Sequence, residues 1–174
     1  MTITRTLRLL RHAKSAWDDA SLGDFARPLA PRGERGGEAI RRHLAANSVA
    51  VELVLCSTAT RARQTWDAVC AGVTGAPEVR FTDEIYGAPA DRLLALLRES
   101  GGAASVLLIG HNPGIADLAT GLVANPGSSA AERMYDKYPT AALATFTVDA
   151  PWERLSYGGA TLTSFVRPRD LPPA

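Results

Sequence analysis

The stretch LRLLRHAKS, residues 7–15, places a short apolar run directly before a cluster of polar and basic side chains. Residues 7–10 have the length and composition of a buried β-strand. Arg11 and His12 follow at once, so they are expected at the carboxyl end of that strand. In open α/β sheets ligands bind at this end, because loops and helix N-termini converge there.

Short apolar runs and helical patterns alternate along the rest of the chain. Further strands are predicted at residues 51–56, 79–82 and 106–109. The intervening helices are predicted at residues 33–46, 60–71, 90–99 and 113–123. Strands that alternate with helices predict an α/β fold: a three-layer α/β/α sandwich around a mixed, mainly parallel sheet.

The last third of the chain has a different pattern. Residues 125–139 form a polar connection that is expected to be a loop or an irregular helix. Residues 142–148 and 161–166 are predicted as strands, and the turn-rich link between them favours an antiparallel pair or a sheet edge. The sequence contains no internal repeat or linker, so a single domain over residues 1–174 is expected.

Composition narrows the range of partners and compartments. The formal net charge is +1, so bulk charge favours neither nucleic acid nor an anionic membrane as a partner. Residues 1–11 contain arginines where a signal peptide needs an unbroken apolar stretch. Cys56 and Cys70 are the only cysteines, a usage typical of unpaired thiols in a reducing compartment. The cytoplasm is therefore the expected location.

Three predicted strand ends carry the residues that could do chemistry. Residues 11–15 follow the first strand, residues 57–61 the second and residues 110–114 the fourth. His12 and His111 are two of only three histidines in the chain, and both fall at strand ends. The third, His43, lies on a predicted helix beside two arginines and is expected to face solvent.

A pocket that holds Arg11, Arg61, His12 and His111 suits a dianionic phosphoryl group. Guanidinium groups present a rigid fork of donors that matches phosphate oxygens. Residues 110–114 add a helix N-terminus whose free N–H groups can also bind an anion. Neighbouring cations disfavour the imidazolium form, which helps to keep one histidine neutral and nucleophilic.

Two other catalytic chemistries fit the sequence less well. In the cysteine-dependent tyrosine phosphatases a glycine-rich loop links cysteine to arginine, but the segment from Cys56 to Arg61 contains no glycine and is one residue too short. A metal site could use several carboxylates and imidazoles, namely His12, His111, Asp18, Asp83 and Asp117. However, no His-Glu-x-x-His or paired-carboxylate spacing is present, and Arg11 would repel a cation. No metal and no cofactor is expected.

Three motifs in this order resemble the signatures of one family. RHAKS at residues 11–15 resembles the Arg-His-Gly/Ala signature of the histidine phosphatase (phosphoglycerate mutase-like) superfamily, and residues 57–65 and 110–114 resemble its second and third signatures. Trp17, Asp18 and the RPL…RG segment at residues 27–33 are more specifically similar to the SixA-type phosphohistidine phosphatases. The resemblance runs from about residue 7 to about residue 168, and it implies a phosphoglycerate mutase-like fold.

The resemblance also implies a role for each matching residue. His12 would accept the phosphoryl group. Arg11, Arg61 and His111 would bind its equatorial oxygens and stabilise charge in the transition state. Two further residues, Ser15 and Asn112, would add hydrogen bonds to the phosphoryl group.

The proton donor is less clearly marked in the sequence. Many relatives carry a glutamate three residues before an aromatic-glycine pair, and counting back from Tyr86-Gly87 gives Asp83, with Glu84 beside it. An aspartate is shorter, and its pKa would have to rise from about 3.9 towards 7 for it to donate a proton at neutral pH. The alternative interpretation is that Asp83 and Glu84 form only a polar turn after a strand.

Leaving-group chemistry bears on the substrate. A phosphate ester expels an alkoxide and needs strong acid help, whereas phosphohistidine expels an imidazole, whose pKa of about 6.5 makes it a better leaving group. The expected partner is therefore a phosphorylated protein carrying phosphohistidine, or a small phosphorylated substrate. A small-molecule phosphomonoesterase, a mutase and a non-catalytic phosphate-recognition module remain the alternatives.

Overall fold

A sheet of six strands forms the centre of the computed structural model, which describes residues 3–173. The strands are β1 (Arg5–Arg11), β2 (Leu53–Ser57), β3 (Glu78–Thr82), β4 (Ser105–Gly110), β5 (Leu143–Val148) and β6 (Thr161–Val166). The helices are α1 (Pro31–Ala46), α2 (Thr60–Val69), α3 (Ala90–Arg98), α4 (Gly114–Leu122) and α5 (Ser129–Asp136). Within this described part of the chain, no helix has the length and apolar character needed to cross a membrane.

The sheet is mixed, with the strand order β3-β2-β4-β1-β5-β6. β1 to β4 run parallel to one another, whereas β5 is antiparallel to both β1 and β6. The predicted mainly parallel sheet and the predicted antiparallel pair are both confirmed. Every residue of β2 and β4 is buried. Because strands covered on both faces are continuously apolar, composition alone is enough to locate these two.

Helices cover both faces of the sheet. Leu9 and Leu10, adjacent in β1, belong to two different buried clusters, as the two-residue period of a strand requires. The cluster around Leu9 includes apolar side chains of α3, α4 and α5, and the cluster around Leu10 includes those of α1 and α2. The three-layer α/β/α sandwich is therefore confirmed.

Residues 125–139 contain a regular helix, α5, where a loop or an irregular helix was the expectation. Ser128 caps this helix, since its side chain accepts a hydrogen bond of 3.2 Å from the backbone N–H of Ala131. Such a cap satisfies one of the free donors at a helix start. Ala131 and Met134 then bury one face of α5 in the larger core cluster.

The start of α1 lies tightly against the loop that follows β1. The backbone N–H of Ala30 donates a 2.9 Å hydrogen bond to the carbonyl of Lys14. At Gly33, a Cβ atom would lie only 2.1 Å from that same carbonyl oxygen. Only glycine fits this close approach, so Gly33 allows α1 to pack directly against the loop that carries His12.

Candidate active site

Three parallel strands bring the residues singled out in the sequence to one edge of the sheet. β4 lies between β2 and β1, so their carboxyl ends are neighbours. Arg11 pairs with Gly110 at the last register position of β1 and β4, and the backbone N–H of His12 donates a 3.0 Å hydrogen bond to the Gly110 carbonyl. Ser57 ends β2, and His111 directly follows β4. Motifs that are far apart in the chain therefore meet in space.

The hydrogen bonds of His12 fix its tautomer. Its Nδ1 lies 2.8 Å from the carbonyl oxygen of Ala13. A carbonyl can only accept, so Nδ1 carries the hydrogen. The other ring nitrogen, Nε2, then has a free lone pair, and Arg61 Nε donates to it over 3.4 Å. The result is a neutral imidazole whose nucleophilic nitrogen faces a guanidinium group.

Both site histidines are held in the neutral form. The pKa of His12 is lowered to about 3, mainly by burial and in addition by the nearby His111, Arg61 and Arg11. Burial, followed by the charge of Arg61, lowers the pKa of His111 to about 4. The two rings have their centroids 5.0 Å apart. Because a low dielectric and neighbouring cations both disfavour imidazolium, these rings stay uncharged at neutral pH.

The guanidinium of Arg61 is oriented by Asp24. Nη1 of Arg61 donates to the backbone carbonyl of Asp24 at 2.7 Å, and Nη2 donates to the carboxylate oxygen Oδ2 at 3.0 Å. These bonds hold the far end of the guanidinium and leave its Nε–H directed at His12. Arg61 is buried, so this orientation is maintained with little access of water.

The carboxylate of Asp24 is the centre of a wider network. Tyr86 donates its hydroxyl to Oδ2 at 2.6 Å, and Arg27 Nη2 donates to Oδ1 at 2.9 Å. The hydrogen bond from Tyr86, followed by that from Arg61, lowers the pKa of Asp24 to about 2. The carboxylate is therefore an anion that accepts hydrogen bonds and has no proton to donate at neutral pH.

Sequence analysis did not identify Asp24 as a site residue. Trp17 and Arg27 appeared there only as parts of a motif, and the structure places the Arg27 guanidinium 3.3 Å from the centroid of the Trp17 ring. The local signal for Asp24 is its spacing of three residues before Arg27, across the 3₁₀ turn Asp24–Ala26. Its contact with Arg61, 37 positions away, has no local signal.

His111 is held by two neighbours. Its Nε2 lies 2.7 Å from the hydroxyl oxygen of Ser57, and its ring meets that of Tyr86 edge to face at 5.4 Å. Its other ring nitrogen, Nδ1, is buried and has no hydrogen-bond partner within residues 3–173. A buried polar atom normally has one. If the Ser57 hydroxyl donates to Nε2, then Nδ1 carries the ring hydrogen and can donate a hydrogen bond to a substrate oxygen.

Buried polar atoms without a hydrogen-bond partner concentrate at this site, and all but Oδ1 of Asn112 are nitrogens. Among the described residues, eight buried side-chain nitrogen or oxygen atoms lack a partner, and five of them belong to Arg11, Arg27, His111 and Asn112. Three of the five are guanidinium N–H donors. Because an unsatisfied buried donor costs free energy, their clustering here indicates a site for an anion with several acceptor oxygens.

Asn112 and Ser15 occupy different positions at this edge. The side-chain amide of Asn112 donates to the carbonyl of Tyr138 at 3.0 Å, and Nη1 of Arg11 donates to the same carbonyl at 3.1 Å. Asn112 thus shares the anchor of Arg11. Ser15 is buried, and its backbone pairs with Leu29. Within residues 3–173, its hydroxyl makes no hydrogen bond to either histidine or arginine of the pocket.

The two candidate proton donors lie outside the buried pocket. Asp83 is exposed at the start of the 3₁₀ turn Asp83–Ile85, and its carboxylate accepts a hydrogen bond from the hydroxyl of Thr58. Glu84 is also exposed and forms an ion pair with Arg92. The structure therefore brings Asp83 to the segment after β2, but not into hydrogen-bond contact with His12 or His111.

The competing chemistries find little support in the geometry. Cys56 is fully buried, and burial raises the pKa of its thiol to about 12, so it carries no thiolate nucleophile at neutral pH. In the described part of the chain, no three or more residues among His, Cys, Asp and Glu are grouped in a way that could hold a metal ion. The buried pocket is defined instead by arginine and neutral histidine.

Comparisons with known proteins agree with the fold and with the family that the sequence resembles. The model of the histidine phosphatase superfamily (branch 1) matches residues 7–86. An uncharacterized protein of Mycobacterium tuberculosis is 40% identical over 163 residues, which cover 92% of this chain and 100% of that protein. Among solved structures, a SixA protein from Nakamurella multipartitia has 32% identity and a TM-score of 0.82, with coverage of 95% of this chain and 96% of that one.

A second solved structure is the protein histidine phosphatase SixA complexed with tungstate. It is 27% identical, with a TM-score of 0.76 and coverage of 95% of this chain and 98% of that one. The chain therefore belongs to the histidine phosphatase superfamily, and within it to the SixA-type group. It is a phosphatase with a phosphoglycerate mutase-like fold, as the sequence resemblance implied.

Proposed function

We propose that this phosphatase hydrolyses phosphohistidine on a protein substrate and that His12 carries the phosphoryl group between the two steps. The observation that supports this proposal most strongly is the neutral His12 ring, whose Nε2 lone pair faces Arg61. The SixA protein solved with tungstate is described as a protein histidine phosphatase, which supports the same substrate class.

In the first step, Nε2 of His12 attacks phosphorus in line with the bond that breaks. The bond between phosphorus and the substrate imidazole then cleaves, and the leaving nitrogen retains the electron pair. The other nitrogen of that ring carries a proton taken from water, so the leaving group is a neutral imidazole. Arg11, Arg61 and His111 would stabilise the charge on the equatorial oxygens during transfer. Because these groups are already oriented by hydrogen bonds, little reorganisation is needed as the transition state forms.

In the second step, water attacks the phosphoryl group on His12. The bond between phosphorus and Nε2 breaks, inorganic phosphate leaves, and the neutral ring is restored. Asn112 would contribute by binding the same carbonyl that anchors Arg11. Ser15, which is buried three residues after His12, would donate its hydroxyl to the phosphoryl group.

The preference for a phosphorus–nitrogen bond rests on which carboxyl groups of the site could donate a proton to the leaving group. Asp24, which contacts Arg61, is ionised because its pKa is about 2. Asp83 is the candidate acid, but it is exposed and hydrogen-bonded to Thr58. An imidazole leaves more readily without a strong acid than an alkoxide does, so such a pocket suits phosphohistidine. The cytoplasm remains the proposed compartment, and Cys56 and Cys70 are both unpaired.

The test combines label trapping with a substrate panel. A ³²P-labelled phosphohistidine peptide is mixed with enzyme, quenched in alkali, and the label is mapped. We expect label on His12, loss of at least about 10³-fold in turnover for His12→Ala, and unchanged turnover for His43→Ala, since His43 lies on α1 outside the pocket. Activity is expected to persist in EDTA.

Three results would contradict the proposal. The first is label on another side chain, and the second is a higher kcat/KM for sugar phosphates than for the phosphohistidine peptide, which would indicate a phosphomonoesterase. The third is a loss for Asp83→Asn as severe as that for His12→Ala, because the leaving-group argument requires Asp83 to be dispensable for this substrate.

A further inference from the structure

A basic groove runs between α1 and the C-terminal segment of the chain. Its volume is about 940 Å³, and it lies between the first turns of α1 and residues 167–173. It is lined by seven basic residues, namely Lys14, Arg32, Arg35, Arg42, Lys137, Arg167 and Arg169, and by two acidic ones, Glu34 and Glu38. The groove therefore holds seven of the 19 basic residues of the chain but only two of the 18 acidic residues.

Most of these cations have no carboxylate partner. Arg42 lies 3.9 Å from Glu38, and Arg167 forms a 2.8 Å ion pair with Asp170. The other five are exposed, and within residues 3–173 no carboxylate lies at ion-pair distance from any of them: Lys14, Arg32, Arg35, Lys137 and Arg169. Unpaired charges of one sign repel each other and create a field that attracts an anionic partner.

Two residues that line the groove are close in the chain to residues of the candidate catalytic pocket. Lys14 is two residues from His12 and lies on the same loop. On the opposite side, Lys137 precedes Tyr138, whose carbonyl accepts the hydrogen bonds from Arg11 and Asn112. When the phosphohistidine of a protein substrate enters the pocket, the residues next to it in the substrate would therefore contact this groove.

The chemistry of the lining favours a peptide over a nucleic acid. Between its charged rims the groove has half-buried apolar residues, among them Ala39, Pro139, Pro168 and Leu171. Among the residues that the structure describes, no aromatic side chain lines it. Single-stranded nucleic acids, by contrast, are usually bound by stacking their bases on aromatic rings. A surface of this kind suits an extended segment with several Asp or Glu residues and a few apolar side chains.

We propose that this groove binds an acidic segment of the phosphorylated protein substrate and so selects protein substrates over small phosphates. The inference rests on the proposed phosphohistidine phosphatase activity and extends it to the partner. It predicts that the groove contributes to KM for the protein substrate, because Coulombic attraction to exposed charges acts on encounter and binding and not on the chemical step.

The experiment compares two phosphohistidine peptides of equal length, one flanked by five Glu residues and the other by five Gln residues. Wild-type enzyme is expected to show about tenfold higher kcat/KM for the Glu peptide, through KM. The variant Arg32→Gln/Arg35→Gln should lose most of this difference. Its turnover of p-nitrophenyl phosphate should stay within about twofold of wild type, which also reports correct folding.

A matched control removes two positive charges elsewhere. Arg80 lies on β3, and Arg154 lies in the 3₁₀ turn Trp152–Arg154; neither lines the groove. Arg80→Gln/Arg154→Gln should keep the preference for the Glu peptide. Equal kcat/KM for both peptides with wild-type enzyme, or an equal loss in the control variant, would overturn the proposal. Displacement of the Glu peptide by an equally charged oligothymidylate would also overturn it, in favour of a nucleic-acid groove.

Failure of the proposed activity gives a different result. If wild-type enzyme hydrolyses p-nitrophenyl phosphate but neither phosphohistidine peptide, the proposed function is wrong. The groove is then tested directly by fluorescence anisotropy with the unphosphorylated Glu peptide. Weaker binding to Arg32→Gln/Arg35→Gln, but not to Arg80→Gln/Arg154→Gln, would still support an acidic peptide site, and equal binding to both variants would reject it.

Discussion

The catalytic pocket and the basic groove are both rich in cationic side chains, but they lie in different surroundings. In the pocket, Arg61 is buried and its guanidinium is held by Asp24 and directed at His12. In the groove, Arg32 and Arg35 are exposed and have no carboxylate partner among the described residues. In a low dielectric the Coulombic interaction between a charge and its hydrogen-bonded neighbours is strong, whereas exposed charges are screened by water and salt. The pocket is therefore suited to orienting a bound phosphoryl group, and the groove is suited to attracting an anionic partner.

The largest expected effect follows from replacing the planar fork in the pocket. Arg61→Lys keeps the positive charge but cannot contact Asp24 and the phosphoryl group with the same planar set of donors. We expect a loss of about 10²-fold or more in kcat. Arg63→Lys is the matched control, because Arg63 donates to the Thr58 carbonyl and packs on Phe81 outside the pocket. Similar losses in both variants would show that orientation by Asp24 is not what matters.

The second prediction uses the acid stability of the protein. The pKa values of His12 and His111 are lowered in the folded state to about 3 and about 4. Between these values and about 6.5 the unfolded chain binds more protons, so stability is complete above pH 6.5 and is lost as the pH falls. Wild type should lose about 4 kcal/mol of its free energy of unfolding through these two rings between pH 7 and pH 5, and His12→Gln/His111→Gln should lack this loss.

Urea unfolding at several pH values measures this difference. Variants at Arg32 and Arg35 leave both histidine rings in place, so they should follow the wild-type pH dependence. Parallel curves for wild type and His12→Gln/His111→Gln would mean that the two rings are not held neutral.

The third prediction concerns Asp24 as a positioning residue. Asp24→Asn retains the backbone carbonyl that Arg61 contacts but removes the charge shared by Arg61, Arg27 and Tyr86. We expect kcat to fall about tenfold, because Arg61 loses part of its orientation. A purely structural role would lower stability and leave kcat of the folded enzyme unchanged, so unfolding and kinetics are measured on the same samples.

The smallest effect separates the two regions by their response to salt. Raising the ionic strength from about 0.05 M to 0.3 M shortens the Debye length from about 14 Å to about 6 Å. We expect KM for a Glu-rich phosphohistidine peptide to rise about fivefold, whereas kcat stays constant because the buried pocket is screened little. A fall in kcat that matches the rise in KM would erase the distinction between pocket and groove.

Much of the fold and the centre of the site can be predicted from sequence because the signals are local. Strands buried on both faces appear as apolar runs, and the residues directly after them must lie at the carboxyl edge. This is why His12 and His111 can be placed together, and the structure brings their rings to 5.0 Å. The helix α5, which was expected to be a loop or an irregular helix, also has a local signal in the sequence. This signal is the Ser128 cap followed by the buried pair Ala131 and Met134.

The rest depends on contacts between distant parts of the chain. Asp24 meets Arg61 and Tyr86 across 37 and 62 positions, and no periodicity reports such pairs. The groove forms where α1 faces residues 167–173, so its charge excess is diluted in a sequence whose net charge is only +1. For Asp83, the spacing in the sequence identifies the position, but only the structure shows that its carboxylate accepts a hydrogen bond from Thr58.

The burial of Cys56 has a consequence for how this phosphatase withstands oxidants. Peroxides attack the thiolate form of cysteine, and enzymes that use a thiolate nucleophile are inactivated by them. Here the sulfur at the end of β2 is protonated and out of contact with solvent, and the candidate nucleophile is a ring nitrogen. Peroxide should therefore not inactivate this phosphatase through Cys56, in contrast to phosphatases whose nucleophile is a thiolate.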